Sequence, residues 1–327
     1  MNQTVLVHGI GPVGPDSGMT RLDAGGDGRF VAGREGVQAI LLTGDRKVEF
    51  IAYERFTLTY VRSAMGHPAI YPLEPATIEP PVEAVLMDLD GTSVRSEPFW
   101  VWIIQQTMAE LMGKPRFALE HADEPHVSGH SVSEHLQYCI RKYCPDKKVE
   151  DARRVYFRIT AREMQAILDG GGRADAFVPS PGLKEFLLAL KARGIRIALV
   201  TSGLYEKAWP EIVAAFRTLG LGDPLAFYDG IVTAGAAIRP GQTGTLGELQ
   251  AKPHPWLYAE AARVGLGIEP SRRSRCIGLE DSGAGIVSIR LAGFAAVGIG
   301  GGNIAKAGVM PLVHCMKDDL LDVLDLL

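Results

Sequence analysis

From residue 82 onward, short continuous apolar runs alternate with amphipathic stretches, and this alternation restricts the fold more than any other feature of the chain. Val82 to Met87, Ile195 to Val200, Arg275 to Leu279 and Phe294 to Ile299 have the length and composition of strands buried on both faces. Leu183 to Ala192, Tyr205 to Leu219, Pro255 to Val264 and Gly285 to Ala292 carry apolar residues at helical spacing, and a further strand is expected near Phe227 to Thr233. Strands alternating with helices predict an α/β fold, a Rossmann-like parallel sheet flanked by helices. Residues 97–178 interrupt the rhythm. There Phe99 to Met112, Val132 to Tyr143 and Val149 to Leu168 read as helices, and Gly170-Gly171-Gly172 with Pro179 and Pro181 mark the return to the sheet.

The first 80 residues differ. Gly and Pro crowd positions 9–36, Val37 to Thr43 is apolar, Gly44-Asp45-Arg46 suits a turn, and Lys47 to Val61 is rich in β-branched and aromatic residues. That pattern predicts a small β-rich extension, a hairpin or meander. Pro72, Pro75, Pro80 and Pro81 are expected to form a stiff connector after it, with a domain boundary there. Gly9-Ile10-Gly11-Pro12-Val13-Gly14 spells a dinucleotide fingerprint, but Pro15-Asp16-Ser17-Gly18 follows instead of a helix able to hold a pyrophosphate, so a glycine-rich loop is expected.

Composition narrows the function. Acidic residues outnumber basic ones, 38 against 34, so no general nucleic-acid partner is expected. No apolar run approaches the roughly 18 residues of a membrane span. Met1-Asn2-Gln3-Thr4 lacks a basic leader segment, and Cys139, Cys144, Cys276 and Cys315 are too scattered for a disulfide framework. A cytoplasmic protein with reduced thiols is the expectation.

Four clusters carry chemistry. Asp88-Leu89-Asp90-Gly91-Thr92 follows the run Val82 to Met87, where ligands bind in open α/β sheets. Its two carboxylates can hold a hard cation, or divide into nucleophile and general acid; a solvated turn is the plain alternative. Thr201-Ser202-Gly203 ends the next run and suits a phosphate oxygen, or an ordinary cap and turn. Lys252 stands before a predicted helix; alone, such a lysine is normally a surface charge. Glu280 and Asp281 are adjacent acids at another strand end, and a divalent metal is their natural compensator.

In this order the four pieces resemble the haloacid dehalogenase-like (HAD) hydrolases, over about residues 82–302, most closely the branch of β-phosphoglucomutase and phosphoglycolate phosphatase. The resemblance implies that Asp88 is a nucleophile forming an aspartyl-phosphate and that Asp90 is the general acid and base. It implies that Asp88, the Asp90 carbonyl, Glu280 and Asp281 hold Mg²⁺, and that Thr201, Ser202 and Lys252 bind phosphate. It also makes residues 97–178 an α-helical cap and 81–96 with 179–327 the core. Within the cap Glu97, Trp100, His126, His130 and Arg141 are candidates to contact substrate, each competing with a plain packing or surface role.

The expected activity is phosphatase action on a small phosphorylated metabolite, with a β-phosphoglucomutase-like mutase or a non-catalytic scaffold as alternatives. The second aspartate, absent from dehalogenases, favours C–O–P substrates. Residues 1–80 depart from the family pattern and are read as a dimerisation element (giving a homodimer), a substrate-binding module or a lid. Gly298 to Gly302 is expected as a turn near the site rim, and His254 as either a site residue or an exposed loop histidine. Ala234 to Gln250 is expected as a loop longer than the family carries.

Overall fold

The computed structural model describes residues 4–62, 68–123, 127, 132–173, 175–235 and 251–327. They divide into two compact units, one of residues 1–93, 180–208 and 221–327, the other of 94–179 and 209–220.

The larger unit begins with a two-stranded hairpin, β1 (Val5–Val7) and β2 (Gly11–Val13). The glycine-rich loop expected over Gly9 to Gly14 is thus partly strand: backbone pairing between Val5 and Val13 fixes it, which glycine content alone does not reveal. Next comes an antiparallel sheet in the order β3 (Thr20–Leu22), β4 (Ala39–Leu42), β5 (Val48–Ala52), β6 (Thr57–Val61), β7 (Ala69–Leu73). Period-two alternation gives the central strands two buried faces. Ile40, Ile51 and Tyr60 share a small cluster with Val37, while Leu41, Phe50, Val48 and Val61 join the main core. Pro72, expected in the connector, lies instead inside β7, an edge strand where a missing N–H costs little.

The parallel sheet has six strands in the order β12 (Gly230–Val232), β11 (Arg196–Val200), β8 (Ala84–Asp88), β13 (Cys276–Glu280), β14 (Ala295–Ile299), β15 (Val313–Lys317). Every neighbouring pair is parallel. Strands β8, β13 and β14 are buried throughout, as continuous apolar runs require when helices cover both faces. β15 alternates in exposure, as an edge strand does, and so lacks the run that would announce it in the sequence. The helix expected over Pro255 to Val264 is α-helical only over Trp256–Glu260 and continues as a wider π turn through Gly265.

Among its described residues the second unit has the helices Glu97–Met112, Val132–Tyr143 and Val149–Leu168 and most of the helix Tyr205–Leu219, with a short antiparallel ribbon, β9 (Val94–Arg95) with β10 (Val178–Pro179). Phe99, Trp100 and Phe177 pack ring against ring beside the ribbon. Buried Asp123 accepts hydrogen bonds from Tyr138 and Lys142 at 2.7 and 2.6 Å and from Tyr143, which hold its carboxyl well below the usual range although burial alone would raise it. Trp100 is half-buried against Phe99 and Phe177, and Glu97 and Arg141 are exposed on their helices. His126, His130 and most of Ala234 to Gln250 lie outside the described residues.

Candidate active site

Strand β8 is central, and the chain leaves it on either side for β11 and β13, so a switch point falls at its carboxyl end. Register places Asp88 opposite Val200 and Met87 opposite Leu279. Asp88, Thr201 and Glu280 therefore emerge side by side, all buried. Gly91 turns the chain sharply after the second aspartate with φ +89°, and a side chain there would overlap the Asp281 carboxylate.

The charges converge on Lys252. Its ammonium group, only 6% exposed, donates to Asp88 Oδ1, to Glu280 Oε1 at 2.6 Å and to the Val200 carbonyl at 3.3 Å, which uses all three of its protons. Burial pulls the Lys252 pKa down, but Asp88 and Glu280 outweigh it and the net shift is upward. Glu280 also accepts from Tyr258 at 3.0 Å on Oε1, and from the Ser282 N–H and hydroxyl at 3.0 and 2.8 Å on Oε2. Gly285 makes room for this: a Cβ there would overlap the Glu280 carboxylate.

One lysine does not neutralise the cluster. Asp88, Glu280 and Asp281 each offer an oxygen within 4.8 Å of the others. Asp88 Oδ2 is buried with no hydrogen-bond partner among the described residues. Burial, then Glu280, push the carboxyl pKa of Asp88 well up against the pull of Lys252, and the same two causes raise Asp281 to about 7. Three crowded, largely buried acids that share one lysine are what a hard divalent cation would compensate. Asp90 is turned elsewhere: its side chain accepts from Thr201 at 3.3 Å and from Lys207 at 3.3 Å. Ser202 is exposed and accepts from the Lys252 backbone N–H at 3.1 Å.

The sequence profile of haloacid dehalogenase-like hydrolases matches residues 82–293. The chain belongs to this family. Solved structures of the same fold include a HAD-superfamily hydrolase from Geobacter sulfurreducens, at 18% identity and TM-score 0.54, covering 77% of this chain and 99% of that one. A protein predicted to be a phosphoglycolate phosphatase, from Haemophilus somnus, aligns at 21% identity and TM-score 0.53 over 75% and 97%. A provisionally named β-phosphoglucomutase from Thermotoga maritima aligns at 18% and 0.51 over 74% and 98%. At these identities the likeness concerns the fold.

In this HAD-like hydrolase, Asp88, Thr201, Lys252, Glu280 and Asp281 gather at the carboxyl ends of three adjacent strands, with Asp90 beside Thr201. Lys252, a surface charge when read alone, is buried. His254 points away from the acids to the N-terminal sheet, where Tyr71 Oη lies 2.9 Å from its Nδ1 and Trp256 donates to the same Tyr71 oxygen at 3.2 Å. Burial lowers the His254 pKa. The turn after β14 packs on Asp281, whose carbonyl accepts from Asn303 N–H at 3.0 Å. Sequence reading missed Lys207 and Tyr258. Each sits about one to two helical turns from a recognised motif residue, and only that offset could have flagged them.

Gly91→Ala is expected to destabilise the HAD-like hydrolase by more than about 1 kcal/mol, since an L side chain resists this dihedral and would displace Asp281. Thermal unfolding checks it. A midpoint equal to that of the parent would mean that the Gly91–Asp281 packing is loose.

Proposed function

We propose that this HAD-like hydrolase is a Mg²⁺-dependent phosphatase of small phosphate monoesters, working through an aspartyl-phosphate. The observation that carries the reading is the buried, partnerless Asp88 Oδ2 held next to Lys252. A nucleophile needs a free lone pair facing the reacting atom, and Asp88 keeps one while its other oxygen is fixed by the ammonium group.

Asp88 attacks phosphorus and the P–O bond to the leaving group breaks. Asp90 gives its proton to the departing oxygen. Water then attacks the phosphoryl group, gives a proton back to Asp90, and the P–O bond to Asp88 breaks. Lys252 and Thr201 hold the phosphoryl oxygens and offset their charge through the transfer. Asp88, the Asp90 carbonyl and Asp281 would hold Mg²⁺, with Glu280 close by. The ion when bound supplies charge neutralisation that lets an anionic carboxylate approach an anionic phosphate. Lys207 positions Asp90 for its proton transfers, and the Thr201 hydroxyl exchanges its bond to Asp90 for one to the phosphoryl group.

Phosphate release from a panel of sugar phosphates, with and without Mg²⁺, tests the reading. Conversion of β-glucose 1-phosphate to an isomer without phosphate release would assign the mutase reaction instead. Silence on every substrate, including a generic aryl phosphate, would sink both.

Mg²⁺ should also raise the unfolding midpoint of chelator-treated protein, because it relieves the acid crowding only in the folded state. At a hundredfold excess over Kd the gain is about 2.7 kcal/mol. Asp281→Asn is expected to lose most of that gain; a full Mg²⁺ response in that variant would remove Asp281 from the metal set.

A further inference from the structure

A second feature lies at the opposite end of the parallel sheet. Asp88 and Glu280 end their strands, whereas Ala295 and Ala296, the first residues of β14, line a cavity of about 310 Å³. Its other walls include Gly9, Gly11, Ala76, Arg290, Leu312 and His314, all in the larger unit. The cavity is thus built between the N-terminal hairpin and the core.

Arg290 sits in the last turn of the helix Gly283–Leu291 and is 5% exposed. Its Nη2 donates to the carbonyls of Gly9 at 2.6 Å and Glu74 at 3.1 Å. These two bonds tie the N-terminal segment to the core. They do not account for the Nε–H, which is buried with no partner among the described residues. Burial pulls the guanidinium pKa down to about 10, and no carboxylate among the described residues opposes it. A buried cation met only by carbonyl dipoles is costly, and a second charge of opposite sign is the efficient remedy.

The cavity has the make-up of a small-molecule site. Ile10, Pro75, Leu312 and Val313 give it apolar walls, and Arg290 gives it one strongly oriented donor group. With Nη2 committed to the two carbonyls, the rest of the guanidinium group offers its charge and N–H donors to a single carboxylate or phosphoryl oxygen. The volume admits one compact molecule rather than a dinucleotide. Gly9, part of the fingerprint-like stretch, has φ +78°, and a Cβ there would come 2.8 Å from the Leu73 carbonyl. Its role is therefore to bring the hairpin turn close to the end of β7, just before Pro75 and Ala76, which line the cavity.

We propose that this cavity binds a small organic oxyanion, a carboxylate or phosphoryl group on a compact apolar body, with Arg290 as the anchoring residue. The site is independent of the phosphatase reading, since none of its residues belongs to the Asp88 cluster.

The test uses the full chain and fluorine NMR with two probes, 4-fluorobenzoate and 4-fluorophenylphosphonate, which separate carboxylate from phosphoryl ligands. At least one probe is expected to bind saturably in the millimolar range. Its affinity should be unchanged in Asp88→Asn and should fall by about tenfold or more in Arg290→Met, the loss of one charged anchor. Because Arg290→Met also unties Gly9 and Glu74, Ala76→Phe supplies a second arm that narrows the cavity and leaves Arg290 in place; it too should lose binding. Absence of saturable binding by both probes overturns the proposal. So does binding that persists in either variant as a folded protein, or phosphonate binding that disappears in Asp88→Asn.

Discussion

Asp88→Asn is expected to lower Mg²⁺-dependent phosphate release by about ten-thousand-fold or more, to the background of the assay. The amide keeps the shape and the hydrogen bond from Lys252 but removes the attacking carboxylate. Stability should move the other way. Burial and the neighbouring acids Glu280 and Asp281 raise the Asp88 pKa, so its ionised form opposes folding near neutral pH when no cation is bound. Removing that charge relieves the opposition, and the unfolding midpoint of the metal-free variant should not fall below that of the parent. Lost turnover with an intact midpoint identifies Asp88 as a chemical residue. Retained turnover would transfer the nucleophile role elsewhere and end the aspartyl-phosphate reading.

Lys252→Met should damage both properties at once. Its ammonium group joins Asp88 and Glu280 in a pocket where Glu280 is fully buried. Deleting the cation strands two buried carboxylates, which costs about 3–5 kcal/mol for a buried pair broken on one side. Turnover should fall by about a hundred- to a thousandfold, as for loss of one donor to a transition-state oxyanion. Adding Glu280→Gln to Lys252→Met should restore part of the stability, with a coupling of about 0.5–3 kcal/mol, but little of the turnover. The split separates the two tasks of the lysine: holding the acids together and meeting the phosphoryl group. An unchanged midpoint in Lys252→Met would show that the acids shed their charge instead of relying on the ammonium group.

How much of this was legible in the sequence depends on how local each feature is. The run Val82 to Met87 and the five residues after it are contiguous, so strand, turn and carboxylate pair could be read together. The helices at Leu183 and Tyr205 were legible from one-sided periodicity. β15 was not, because an edge strand has no continuous apolar run. Pro72 misled because a proline says that a hydrogen bond is missing, not that a strand is.

The sequence by itself determined the α/β alternation and the order of the four acidic, hydroxyl and basic clusters, since backbone preference and burial pattern act over a few residues. Only the tertiary structure decided that Lys252 is buried between Asp88 and Glu280, that Tyr258 supports Glu280, and that Arg290 reaches back to Gly9. Those contacts join residues far apart along the chain. Periodicity reports that a face is covered; which distant segment covers it is settled by the packing of sheets and the pairing of charges once the whole chain is folded.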